Sequence, residues 1–155
     1  MKRIGKLMAL MAGLVLMANT AYADDVNVSY SELPQDAKAF ITKHFGQNAK
    51  VQEVEYEQME DVYTVELRNG YDIKFDKAGK VVEVDSPDMK DIEVAIVKDV
   101  LPAKAVDFLS KKKLLDDVDD IKVLRRGGFI VETDKMMQER NFRFSSDGSL
   151  IKGKR

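Results

Sequence analysis

Beyond residue 32, apolar positions follow two spacings that alternate in the same order twice. Ala37, Phe40, Ile41, His44 and Phe45 lie three or four apart, which predicts one face of a helix. Pro34 suits the first position of that helix, Asp36 complements its positive end, and Gly46 is the expected stop. The spacing then changes to two. Val54 pairs with Tyr56, Tyr63 with Val65 and Leu67, and Tyr71 with Ile73 and Phe75, the pattern of half-buried strands. Asn69-Gly70 predicts a hairpin between the last two, the turn Asp76-Lys77-Ala78-Gly79 leads to a strand over 80–84, and Pro87 closes the unit.

The same order then returns. Pro102 opens a helix with the stripe Ala105, Phe108 and Leu109, joined by the stem of Lys112. A polar break over 116–120 precedes strands predicted at 121–125, 129–134 and 140–145, with a short one near Leu150 and a turn at Gly127-Gly128. Leu33-Pro34 matches Leu101-Pro102 at an offset of 68, and Gly79 matches Gly148 at 69. The chain is therefore expected to be α+β: two tandem repeats, each a helix packed on one face of a small antiparallel sheet. Between them, Ile92, Val94 and Ile96 alternate, which predicts a short strand within the connector. The second copy is also expected to carry a longer hairpin loop, around Met136-Met137-Gln138-Glu139.

The first residues have another purpose. Lys2, Arg3 and Lys6 precede an apolar run over 7–17 that ends in Ala21-Tyr22-Ala23, the pattern of a secretory signal cleaved between Ala23 and Asp24. That run is too short to span a bilayer, and no membrane span is expected after signal removal. The expected organisation is a signal at 1–23, a first repeat at 24–87, a connector at 88–100 and a second repeat at 101–155, exported to the periplasm as one soluble mature domain. The chain has no cysteine, which excludes a disulfide framework, a thiol nucleophile and a cysteine metal site. Residues 24–86 hold fourteen acids against seven bases, whereas 87–155 lean slightly basic. Neither half is basic enough to imply nucleic acid, and the polarity would orient a charged partner.

Candidate chemistry is sparse. His44, the single histidine, sits beside the apolar stripe and has no helically spaced partner for catalysis or metal binding. The run Asp116-Asp117-Val118-Asp119-Asp120 fails the EF-hand pattern, since Ile121 and Gly127 occupy the glycine and glutamate positions, so it reads as a solvated acidic loop. There is no nucleophile elbow, phosphate-cradling loop or dinucleotide fingerprint, and no cofactor or catalytic residue is expected. With its apolar face under the helices, each sheet would leave an open polar face. Its outward positions would be Glu53, Glu55, Thr64, Glu66, Asp72 and Lys74 in the first half, with Glu132 and Arg143 in the second. That face, together with Met136 and Met137 in the second-copy loop, is the expected site for another envelope protein or peptide. The alternatives are a small-ligand or peptide carrier with a groove between the repeats, and a carboxylate-based hydrolase.

The order Leu33-Pro34-x-x-Ala37-x-x-Phe40-Ile41-x-x-His44-Phe45, followed by Tyr63-x-Val65-x-Leu67-x-Asn69-Gly70-x-x-Ile73-x-Phe75-Asp76-x-x-Gly79, resembles the PepSY-like, beta-lactamase-inhibitor-like periplasmic proteins of Gram-negative bacteria. The resemblance extends over nearly the whole mature chain, more loosely in the second half. It implies a tandem helix-plus-sheet fold, related in shape to the beta-lactamase inhibitor protein, and a periplasmic location. Fold likeness does not carry a target. The chain departs from the pattern where members often have a tryptophan after the turn glycine, here Lys80 and Val81, and where a proline often follows the helix, here Gly46. Loss of that tryptophan weakens the case for a shared aromatic anchor.

Overall fold

Eight strands form one continuous antiparallel sheet, with each strand beside its neighbour in sequence. The computed structural model describes residues 25–136 and 138–151, so the signal cleavage site at Ala23 and Asp24 lies outside the described residues, as does Met137. The elements are β1 (Val26–Asn27), a 3-10 turn (Tyr30–Glu32), α1 (Gln35–Phe45), β2 (Val51–Glu57), β3 (Val62–Leu67), β4 (Asp72–Asp76) and β5 (Val81–Asp85). Then come α2 (Val94–Val100), α3 (Ala103–Lys111), β6 (Val118–Val123), β7 (Phe129–Lys135) and β8 (Gln138–Phe144). The two halves join where β5 pairs with β6, through Val84 opposite Ile121.

Period-two alternation places one apolar row across the sheet: Val54, Val65, Ile73, Val84, Ile121, Val131 and Phe142 stand directly opposite one another in consecutive strands. The helices cover this face with Ala37 and Ile41 of α1, Ile96 and Val97 of α2, and Ala105 and Leu109 of α3, and all of these join one core. Burying a side chain of this size is worth about 1.5–3 kcal/mol, so the row and the helix stripes are the main source of stability.

Each helix is also fixed at its start. The turns after β4 and β8 close alike, Gly79 N–H donating to Asp76 C=O at 2.8 Å and Gly148 N–H to Ser145 C=O at 2.9 Å. Both glycines have positive φ, 84° and 82°. A Cβ on Gly79 would lie 2.7 Å from the backbone nitrogen of Ala37, and one on Gly148 would lie 2.9 Å from that of Ala105. The turn therefore presses on the first turn of its own helix, in both copies. The repeat's two sequence anchors are the two sides of one contact.

Three expectations are corrected. The connector holds α2 in place of a strand, with Ile96 and Val97 buried on one side of the helix, while Ile92 is buried just ahead of it, its N–H bonded to the Val118 carbonyl. The acidic run is not a solvated loop: β6 begins at Val118, and Asp119 and Asp120 are 5% and 8% exposed. The β7–β8 connection is short, Lys135 pairing with Gln138, so the additional residues lengthen the strands. Ahead of the first helix, Val26–Asn27 form β1, which pairs with β2.

The contact at the turn glycines predicts that Gly79→Ala and Gly148→Ala each cost about 2 kcal/mol or more in urea unfolding, combining left-handed φ with backbone collision. Gly46, also at positive φ (80°) but with open space around its Cβ direction, should cost only about 1 kcal/mol when changed to alanine.

Candidate functional site

The sheet face away from the helices carries the charge. Its middle row runs through every strand: Asn27, Glu55, Thr64, Lys74, Glu83, Lys122, Ile130 and Arg143. The adjacent row is Glu53, Glu66, Asp72, Asp85, Asp120, Glu132 and Asn141, again directly opposite one another. Six strands in succession thus each contribute a carboxylate to one line. At about 4.8 Å per strand the acidic line extends about 24 Å. Like charges directly opposite in a sheet repel, so this line is held against its own electrostatics.

The middle row supplies part of the compensation. Lys122 Nζ reaches Asp120 in the line at 2.7 Å and Glu83 in its own row at 3.2 Å, while Lys74 Nζ pairs with Glu57, outside the line, at 3.0 Å. Burial would raise the Glu57 carboxyl, but bonds from Thr64 and Lys74 outweigh it and hold it below the ordinary value. Lys74 is raised: its pairing with Glu57 overcomes a burial effect in the other direction. Glu55 is raised by burial and by Glu53, Asp25 and Glu66. Asp120 is pushed up to about 6 by burial, with Glu83 and Asp85 adding to the effect and Lys122 opposing it. The face also curls. Arg125, in the β6–β7 turn, donates to the carbonyl of Glu60 in the β2–β3 turn at 2.6 Å, although β4 and β5 separate the two hairpins.

Every outward position expected from the sequence on this face, Glu53, Glu55, Thr64, Glu66, Asp72, Lys74, Glu132 and Arg143, falls in these two rows. Met136 does not join them: it is 90% exposed at a hairpin tip with φ of 52°. Sequence reasoning missed Glu57, Glu83, Asp85, Asp120 and Lys122. Glu83 and Asp85 flank Val84 at the alternation already read in the other strands, so the signal was present. Asp120 was concealed by the acidic run around it.

Two other sets of side chains lie on the helix side. His44 Nε2 is 2.8 Å from Asp99 Oδ2 and Lys43 Nζ is 2.6 Å from Oδ1, tying α1 to α2, while the imidazole packs 4.5 Å from the Phe40 ring. These bonds, Lys43 first, hold the Asp99 carboxyl below its ordinary value. At the junction of the halves a cleft of about 540 Å³ lies among Asn69, Tyr71, Lys90, Asp91, Glu93 and Asp116. The Tyr71 hydroxyl accepts the Glu93 N–H there at 3.1 Å. Burial, with Asp117, Asp119 and Asp134 close by, raises Asp91. Among the described residues no helix is long and apolar enough to cross a membrane, and no group of three or more histidine or acidic side chains is arranged to hold a metal ion.

The family model described as "Putative beta-lactamase-inhibitor-like, PepSY-like" matches residues 21–83 and again 61–152. No curated protein matches the chain. Among solved structures, a putative periplasmic protein of unknown function from Bacteroides vulgatus is similar at 21% identity and TM-score 0.65, with 83% of this chain and 98% of that one covered. A putative calcium-regulated periplasmic protein from Bacteroides thetaiotaomicron is similar at 24% identity and TM-score 0.61, with 83% and 94% covered. A putative periplasmic protein of the DUF2874 family from Bacteroides vulgatus stands at 24% and 0.62, with 84% and 96% covered. At these identities the likeness shows the fold.

The position of Asp120 predicts a pH dependence. Its carboxyl protonates near 3.8 in the unfolded chain and at about 6 in the folded one, so the folded protein holds an extra proton in between. That contribution to stability is complete below the lower value and is lost as pH rises through about 6, by about 2 kcal/mol after allowance for solvent screening. Urea midpoints measured from pH 4 to 7 should show this decline, and Asp120→Asn should flatten it.

Proposed function

The chain belongs to the beta-lactamase-inhibitor-like, PepSY-like family, and on that premise we propose that it is an exported, non-catalytic binding module that grips a cationic segment of another envelope protein on its open sheet face. The line of carboxylates from Glu53 to Glu132 carries the reading. Opposed like charges cost stability, and a basic partner segment laid across the strands would relieve that repulsion. The periplasmic descriptions of the structural neighbours agree with the secretory signal read in the sequence and with an envelope partner. A second reading, a small-ligand or peptide carrier, draws on the cleft at the junction of the halves, which Tyr71 and Asp91 help to line. It is secondary because the cleft is wide and shallow, whereas ligand pockets enclose most of their ligand.

A labelled oligoarginine peptide titrated against the mature protein should bind with an affinity that falls steeply with salt. The pair Glu66→Lys and Glu132→Lys, one from each half, should weaken it about tenfold. Equal binding of oligoglutamate, or affinity unchanged by the paired substitution, would remove the open face as the site.

A further inference from the structure

Asp120 stands where the two halves of the sheet join, and it is the most enclosed member of the carboxylate line. β5 and β6 meet through three registered pairs: Glu83 with Lys122, Val84 with Ile121 and Asp85 with Asp120. On its other side Asp120 stands opposite Glu132 of β7. A carboxylate therefore faces it from each neighbouring strand. One strand further, β4 adds Asp72 opposite Asp85 and Lys74 opposite Glu83.

The nearest cation comes from the same strand and is shared. Lys122 Nζ bonds to Asp120 Oδ2 at 2.7 Å and lies 3.2 Å from Glu83. The second oxygen, Asp120 Oδ1, is buried and has no hydrogen-bond donor among the described residues. Enclosure disfavours the charged form of a carboxyl, and so do like charges alongside it. A buried oxygen without a donor is where a proton serves. The carboxyl is raised for these reasons, burial first.

We infer that a proton on Asp120 governs the grip of the open face, which keeps the proton while empty and releases it to solvent when a cationic segment lies across the line. The inference rests on the open-face reading and adds the control of that site. A cationic segment favours the ionised carboxylate and so drives the proton off. By reciprocity the proton weakens the segment's binding to the same extent. Acidification therefore loosens the grip first at the seam, because the other members of the line are less enclosed.

Calorimetry of oligoarginine binding at pH 6, repeated in two buffers of different ionisation enthalpy, counts the protons released. Guanidinium groups stay charged throughout this range, so any release comes from the protein. About half a proton should leave per peptide bound, and affinity should fall about fivefold from pH 7 to pH 5. Asp120→Asn should remove most of the release and flatten the pH profile. Glu132→Gln, a neutralisation one strand away, should weaken binding and leave the release in place. If Asp120→Asn does not fold, the carbon-13 carboxyl signal of Asp120 in the unaltered protein decides the matter. Its titration midpoint should fall when peptide is bound, and an unmoved midpoint would overturn the proposal. Binding without proton release, or with equal release from Asp120→Asn, would overturn the proton's role and leave the open-face reading standing. No binding of oligoarginine at any pH would overturn both.

Discussion

Everything in this fold is referred to the contact between a turn glycine and the first turn of a helix. Gly79 lies against Ala37, and Gly148 against Ala105, each so close that a methyl group would collide with backbone. The contact fixes where each helix crosses the sheet, and therefore which strand residues lie beneath Ile41 and Leu109. With one face committed to the helices in both halves, the alternation of the strands leaves the other face without a covering layer among the described residues. The charged rows follow from that commitment.

The two helix-and-sheet halves differ where their shared framework does not constrain them. The apolar row keeps a similar character from Val54 to Phe142, since each position packs against a helix and a change of volume there would be felt throughout the core. On the opposite face no such limit applies. The acidic line is dense in the first half and carries into the second through Asp85 and Asp120, where the halves join, before ending at Asn141. The middle row becomes more basic toward Lys122 and Arg143, so the charge asymmetry between the halves reappears as a gradient across one surface.

Much of this was legible in the residues, for identifiable reasons. Helices and strands were readable where one period dominated, as in Ala37 to Phe45 and Tyr63 to Phe75. The reading failed where two periods coexist: Ile92, Val94 and Ile96 satisfy alternation, but Val94–Val100 forms a helix that buries Ile96 and Val97, and Ile92 bonds to β6 just ahead of it. It failed again at Asp119 and Asp120, because composition assigned to solvent a segment that the pairing of β5 with β6 draws inward. Outward residues such as Glu53, Glu66, Lys74 and Arg143 were recovered because parity alone determines them. Their alignment into a single line was not, because cross-strand register depends on the turns and on bulges such as the one between Val118 and Asp120.

The central claim is that the open face, and not the helix-covered face, meets the partner. Photo-crosslinking in cells producing the full chain tests it directly, with a benzophenone amino acid placed singly at positions 66, 85 and 132 on the open face and at 38, 104 and 110 on the helix side. The account predicts discrete adducts of the same mass from the three open-face positions and none from the helix positions. Adducts arising from the helix side alone, or equally from both sides, would contradict it.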